Sequence, residues 1–252
     1  MALKKPYYGI YRPFITKKGL REYDYLTEVD FFVSKGQHIM AYYMIAEDIK
    51  KVFEYIEPVP AHGKVYSHRL FELLLRTCTE IESIFTELLA QHEYKKQKGM
   101  SKNDNLNMKH YFELEKYMRL SQYTVAFRTF TITPYAEWQG IGYKALKWYK
   151  DYNNVKHSRF NQFKYSSLKN VMEAFSGLYI LLYSQFDFYA DAPYQDAGIT
   201  AFEYDEGYIL GNLAYSKLFS IENKPKWTDT EKYDFDWATM KNNDDSFQKI
   251  LF

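Results

Sequence analysis

Two apolar stripes limit what this chain can become. Leu168, Val171, Met172, Phe175, Leu178, Tyr179, Leu182 and Phe186 recur with a helical period, and so do Leu70, Leu74, Cys78, Ile81, Phe85 and Leu88. Residues spaced in this way fall on one face of an α-helix, which another apolar face must cover. The first stripe predicts a helix with Ser166 or Ser167 as its N-cap, and the second a long helix from about Ser67 to Glu93. A mainly helical protein follows.

The weaker patterns fill in around these two. Ile45, Ile49, Val52 and Ile56 predict a helix over His38–Tyr55, stopped by Pro58 and Pro60. "YKKQKGMSKNDNLNMKH" has the look of a mobile surface loop, and a short helix is expected at about 110 to 120. "YTVAFRTFTITPYAEW" carries the β-branched and aromatic residues of a strand or extended connector ended by Pro134. Residues 1–37 show no sustained period and predict loops with one short strand. Beyond Asp187, "DFYADAPYQDAG" reads as an acidic loop, and ten Asp or Glu stand against six Lys from Ala201 onward, in a small strand-containing tail. This gives an irregular N-terminal segment (1–60), a helical core (61–190) and a C-terminal α/β appendage (191–252).

With 46% apolar and 26% charged residues in 252, the chain can bury a core without disulfide or metal. Its single cysteine, Cys78, lies in an apolar stripe and is expected to be a buried, inert thiol. No secretory h-region or membrane span is visible, so a cytoplasmic protein that does not engage a membrane is expected. A net charge of +1 announces no nucleic-acid partner by itself. No phosphate loop, Cys–His metal pattern or nucleophile elbow occurs, so no cofactor is expected. Asp229, Asp234, Asp236, Asp244 and Asp245 match no ligand spacing and read as a solvated acidic surface.

The remaining chemistry is in "KWYKDYNNVKHSRF". Ala145, Trp148, Tyr152 and Val155, spaced three, four and three apart, predict a helix with one packed face, and Asn153 and His157 stand four apart beside it, with Lys156 and Phe160 on the adjoining strip. From Gly142 to Lys169 there are seven Lys or Arg against one Asp. A histidine among cations and an amide suits RNA cleavage without metal. The imidazole can move the proton of the 2′-hydroxyl or of the leaving oxygen, and a cation can offset charge on the phosphate.

The succession of "RLFELLLRTCTEIESIFTELL", a basic loop, a short helix, "YNNVKHSR" and "SSLKNVMEAFSGLYILL" resembles the HEPN superfamily, helical domains of prokaryotic toxins and phage-defence proteins. The similarity spans residues 66 to 186. It implies a helical-bundle core, a homodimer, and a metal-independent ribonuclease site in which a motif of arginine, polar residue and histidine from each protomer meets its twin. His157 then takes the histidine position and Asn153 the polar position. Tyr152 stands where the motif has arginine, and a phenol offers no charged fork to phosphate. Lys156, Arg159 or Arg76 could supply the missing charge, Lys150 adds to substrate binding, and the alternative for Arg76 is a helical pair with Glu80. Two functions therefore stand side by side: an RNA-directed endoribonuclease with a protein antitoxin or defence partner, and a catalytically silent homodimeric binding module of the same fold.

Overall fold

The computed structural model describes residues 1–187, 218–243 and 245–252. The acidic loop expected after Asp187, the first part of the tail and Asp244 lie outside the described residues. Among the described residues the protein is mainly helical with a small antiparallel sheet. Its four longest helices are α1 (Lys35–Phe53), α2 (His68–Gln91), α3 (Lys147–His157) and α4 (Leu168–Phe186).

All six residues of the expected α2 stripe are buried, together with Leu73, Thr77, Ile84 and Leu89. Cys78 is fully buried, and burial pushes its thiol pKa well up, as suits an inert core residue. Ser67 caps the helix by accepting from the Leu70 N–H at 3.1 Å, and Glu93 ends it in the left-handed conformation, φ 55°. In α4 every residue except Lys169 and Glu173 is buried. The sequence pattern displays one apolar stripe; the structure covers the helix on all sides, as expected of the central element of a core. Tyr42 of α1 stacks on Phe175 at 4.8 Å, α2 lies along another side, and Asn170 donates to Asp151 of α3 at 3.1 Å.

Of the two candidate caps for α4, Ser167 does the capping, accepting from the Asn170 N–H at 3.3 Å. The Ser166 Oγ is buried without a hydrogen-bond partner. Ser167→Ala should therefore cost about 1 kcal/mol in urea denaturation, whereas Ser166→Ala should be neutral or stabilising. Equal losses for the two would contradict this assignment.

The single strand or connector expected before Pro134 is a hairpin, β1 (Thr124–Phe127) and β2 (Phe130–Ile132), pairing Val125 with Ile132 and Phe127 with Phe130. Arg128 makes the turn at φ 50°, a conformation that a turn-signalling Gly or Asn would have advertised. A third strand, β3 (Ser220–Asn223), pairs antiparallel with β1 on its other side. The helix expected at 110 to 120 is broken into Met108–Tyr111, Phe112–Leu114 and Glu115–Met118, and Arg119 turns left-handed at φ 54°. The break aims the Arg119 guanidinium at the Trp227 ring, 4.4 Å away, and at the Lys226 carbonyl, 2.6 Å away.

The first residues are tied to the last ones. Leu3 and Phe14 bridge to Tyr233, and Tyr7 bridges to Gln248. The buried Tyr233 hydroxyl donates to the Ile10 carbonyl at 2.8 Å and accepts from the Tyr7 N–H at 2.9 Å. Gly9, at φ 58°, lets this segment pass so close to α2 that a Cβ there would meet Leu88 at 2.5 Å.

The seam between α1 and α2 is polar. His38 is buried between Glu80 and Glu87 of α2, the latter at 2.9 Å, and Asp48 takes Arg69 at 2.8 Å and Arg76 at 2.5 Å. Arg76 is thus paired across the seam rather than with Glu80, whose carboxylate is held by His38.

Candidate functional site

Helix α3 is short and polar on its outer side, and its inner side is tied down at several points. Trp148 is buried and donates through Nε1 to the Pro134 carbonyl at 2.7 Å. Asp151, also buried, receives Lys147 at 3.0 Å and Asn170 at 3.1 Å. Tyr149 donates to Glu82 of α2 at 2.8 Å. Ala145, expected within the packed stripe, lies before the helix and is exposed; Leu146 occupies the buried position.

Tyr152 belongs to the core. Its ring has no exposure, and its hydroxyl accepts from the Lys156 ammonium at 3.0 Å. Burial raises the phenol pKa, so the ring stays neutral, while the bond to Tyr152 holds the Lys156 pKa above the ordinary lysine value. Tyr152 is therefore a packing residue that also positions a cation, through a bond between residues four apart.

Asn153 is half-buried and lies close to the Tyr149 hydroxyl. His157 is exposed at the last position of α3 and has no hydrogen bond or ion pair among the described residues. The backbone leaves the helix at Ser158, φ −142° and ψ 56°, and turns once more over Arg159–Gln162. Arg159 folds back onto α2. Its guanidinium lies 4.4 Å from the Phe71 ring centroid and 5.6 Å from that of Phe163, and it donates to His68 Nδ1 at 2.6 Å. Because arginine can only donate, His68 presents its unprotonated Nδ1.

The structure thus brings Tyr152, Asn153, Lys156, His157 and Arg159 to one end of α3, with Lys150 exposed on the same helix. Arg76 does not join them. It lies about 120° around α2 from Glu82, the residue facing α3, and is held by Asp48. Tyr149, Glu82 and His68 are neighbours that the sequence reading did not single out, because no local spacing connects residue 149 with 82 or residue 159 with 68.

The charge of α3 and its flanking segments is largely uncompensated. Lys147 pairs with Asp151 and Lys169 with Glu173. Among the described residues, Lys144, Lys150, Lys156, Arg159 and Lys164 have no carboxylate within salt-bridge distance. Around α1 and the start of α2, by contrast, Lys50, Lys51, Arg69 and Arg76 all face acids. The tail aspartates are likewise engaged: Asp229 with Lys232, Asp234 with Lys4, Asp245 with Lys5, and Asp236 as the cap of a short helix. Among the described residues no cluster of His, Cys, Asp or Glu could hold a metal ion, and no helix is long and apolar enough to cross a membrane.

Comparisons with protein-family models, with curated proteins and with solved structures find no match to this chain.

Proposed function

We propose that the protein is a HEPN-like, RNA-directed protein that acts as a homodimer in a toxin or defence setting and takes the RNA backbone at the end of α3. The observation that supports this reading is the set of four cations along and after α3, Lys150, Lys156, Arg159 and Lys164, left without acidic partners among the described residues while the other long-helix cations named above are paired. Unpaired surface cations cost the fold little, and each phosphate they meet releases counterions, so such a surface binds a polyanion in a salt-dependent way. In the endoribonuclease form of this reading, His157 is the general acid or base, Asn153 orients it, and Lys156 and Arg159 offset charge on the scissile phosphate.

Purified full-length protein should bind RNA with an affinity that falls steeply as salt is raised. It should cleave single-stranded RNA in the presence of a chelator, and His157→Ala should lower the cleavage rate by about 100- to 10,000-fold while leaving binding intact. Cleavage that survives His157→Ala unchanged removes the proposed mechanism.

The buried Tyr152 favours the second reading, a catalytically silent homodimeric binding module. A phenol at the arginine position brings no charge, and Lys156 is drawn toward that phenol. Salt-dependent RNA binding with no cleavage by wild type would select it.

A further inference from the structure

The turn that follows α3 carries an unusual side chain. Phe160 is 97% exposed, and among the described phenylalanines it is the only one exposed; the others are buried or half-buried. Its position follows from its neighbours. Arg159 lies on Phe71, and Phe163 packs on His68 at 4.7 Å and on Phe71 at 6.2 Å, so residues 159 and 163 share the face turned toward α2. On a helical turn the residue next to Arg159 must leave that face. Phe160 therefore contributes almost nothing to the core, yet the fold holds it out on a turn clamped from beneath by a guanidinium.

Its surroundings identify what could cover it. Three residues before it stands the exposed His157, and the cations within four residues of it in the chain, Lys156, Arg159 and Lys164, have no carboxylate within salt-bridge distance among the described residues. An exposed apolar ring in a segment of unpaired cations is a poor contact for a second apolar surface, because docking would strip water from the cations without pairing them. It complements a molecule that presents flat π-faces and regularly spaced anions together. A single-stranded nucleic acid does so, whereas a duplex keeps its bases stacked within the helix and shows mainly phosphate.

We propose, building on the RNA-directed reading above, that Phe160 is a stacking platform for one unpaired base of the bound strand. The neighbouring cations hold the flanking phosphates and the base lies on the ring. Arg159 also fixes the turn, through Phe71, Phe163 and His68.

The test is fluorescence anisotropy on the full-length protein with a labelled single-stranded RNA of mixed sequence and a blunt duplex of the same length, comparing wild type, Phe160→Ala, Phe160→Trp, and a double charge reversal, Lys150→Glu with Lys164→Glu. Phe160→Ala should weaken single-strand binding by roughly 5- to 100-fold and leave duplex binding unchanged. Phe160→Trp should retain the affinity, and its added emission should be quenched by the single strand. The charge reversal should weaken binding to both RNAs. If Phe160→Ala binds the single strand like wild type while the charge reversal abolishes binding, the platform is overturned and the RNA-directed reading stands. If wild type binds neither RNA, both fall. If Phe160→Ala instead turns a dimer into a monomer on sedimentation, the ring is a contact between two copies and the platform is overturned.

Discussion

His38→Ala should destabilise the fold by about 3 to 5 kcal/mol near pH 7, measured as a loss of unfolding free energy in urea. The imidazole side chain is only 6% exposed, and its two nitrogens face Glu80 and Glu87 on the adjoining helix. Removing it leaves two carboxylates, 19% and 20% exposed, facing a cavity with no counter-charge, and also removes a ring stacked on Phe32 at 5.5 Å. The same cluster makes stability depend on pH. Burial alone would lower the imidazole pKa, but the hydrogen bonds and charges of Glu80 and Glu87 prevail and raise it to about 9. An unfolded histidine titrates near 6.5, so the folded value lies above the unfolded one. The stabilisation is then fully present below about pH 6.5 and is lost as pH rises through about 9, an effect of about 2 to 3 kcal/mol. Wild type should weaken across that window, and His38→Ala should be flatter there. Parallel stability curves for the two proteins would mean that His38 is not charged in the native state.

This cluster also shows why some of the architecture was legible in the sequence and some was not. Period alone located α2, α3 and α4, because Leu70 to Leu88, Trp148 to Val155 and Leu168 to Phe186 repeat with the helix itself. Cys78 followed as a core thiol from its place in a stripe. Contacts between distant residues leave no such mark: His38 with Glu87, Arg76 with Asp48, Tyr7 with Gln248 and β3 with β1 join positions that no local spacing relates. The hairpin was hidden because its turn uses Arg128 and Thr129 instead of Gly or Asn, leaving an unbroken run of strand-forming residues. At the candidate site, the positions of Asn153, Lys156 and His157 on one helix were readable. What each side chain does was not: the direction of Lys156 depends on Tyr152, and that of Arg159 on Phe71 and His68 in α2.

Tyr152→Arg, the substitution that would rebuild the arginine of the motif, should unfold this protein rather than activate it. The phenol ring has no exposure and packs 5.4 Å from the Tyr149 ring, with the Lys156 ammonium 5.1 Å from its own centroid. A guanidinium placed there would be desolvated beside an existing cation, and the nearby Glu82 carboxylate is already bonded by Tyr149. An unpaired buried charge costs several kcal/mol, so the midpoint of thermal unfolding should fall by about 10 °C or more. Tyr152→Phe keeps the packing and loses only the acceptor for Lys156, so it should cost about 1 kcal/mol. It also frees the ammonium, and RNA affinity should stay equal or increase. If Tyr152→Arg proves as stable as wild type and gains ribonuclease activity, the ring is not embedded in the core and the positive charge of the site can come from position 152. If it unfolds, the endoribonuclease reading proposed above requires that charge to come from Lys150, Lys156, Arg159 and Lys164, or from a second copy of the chain, brought to one phosphate with His157.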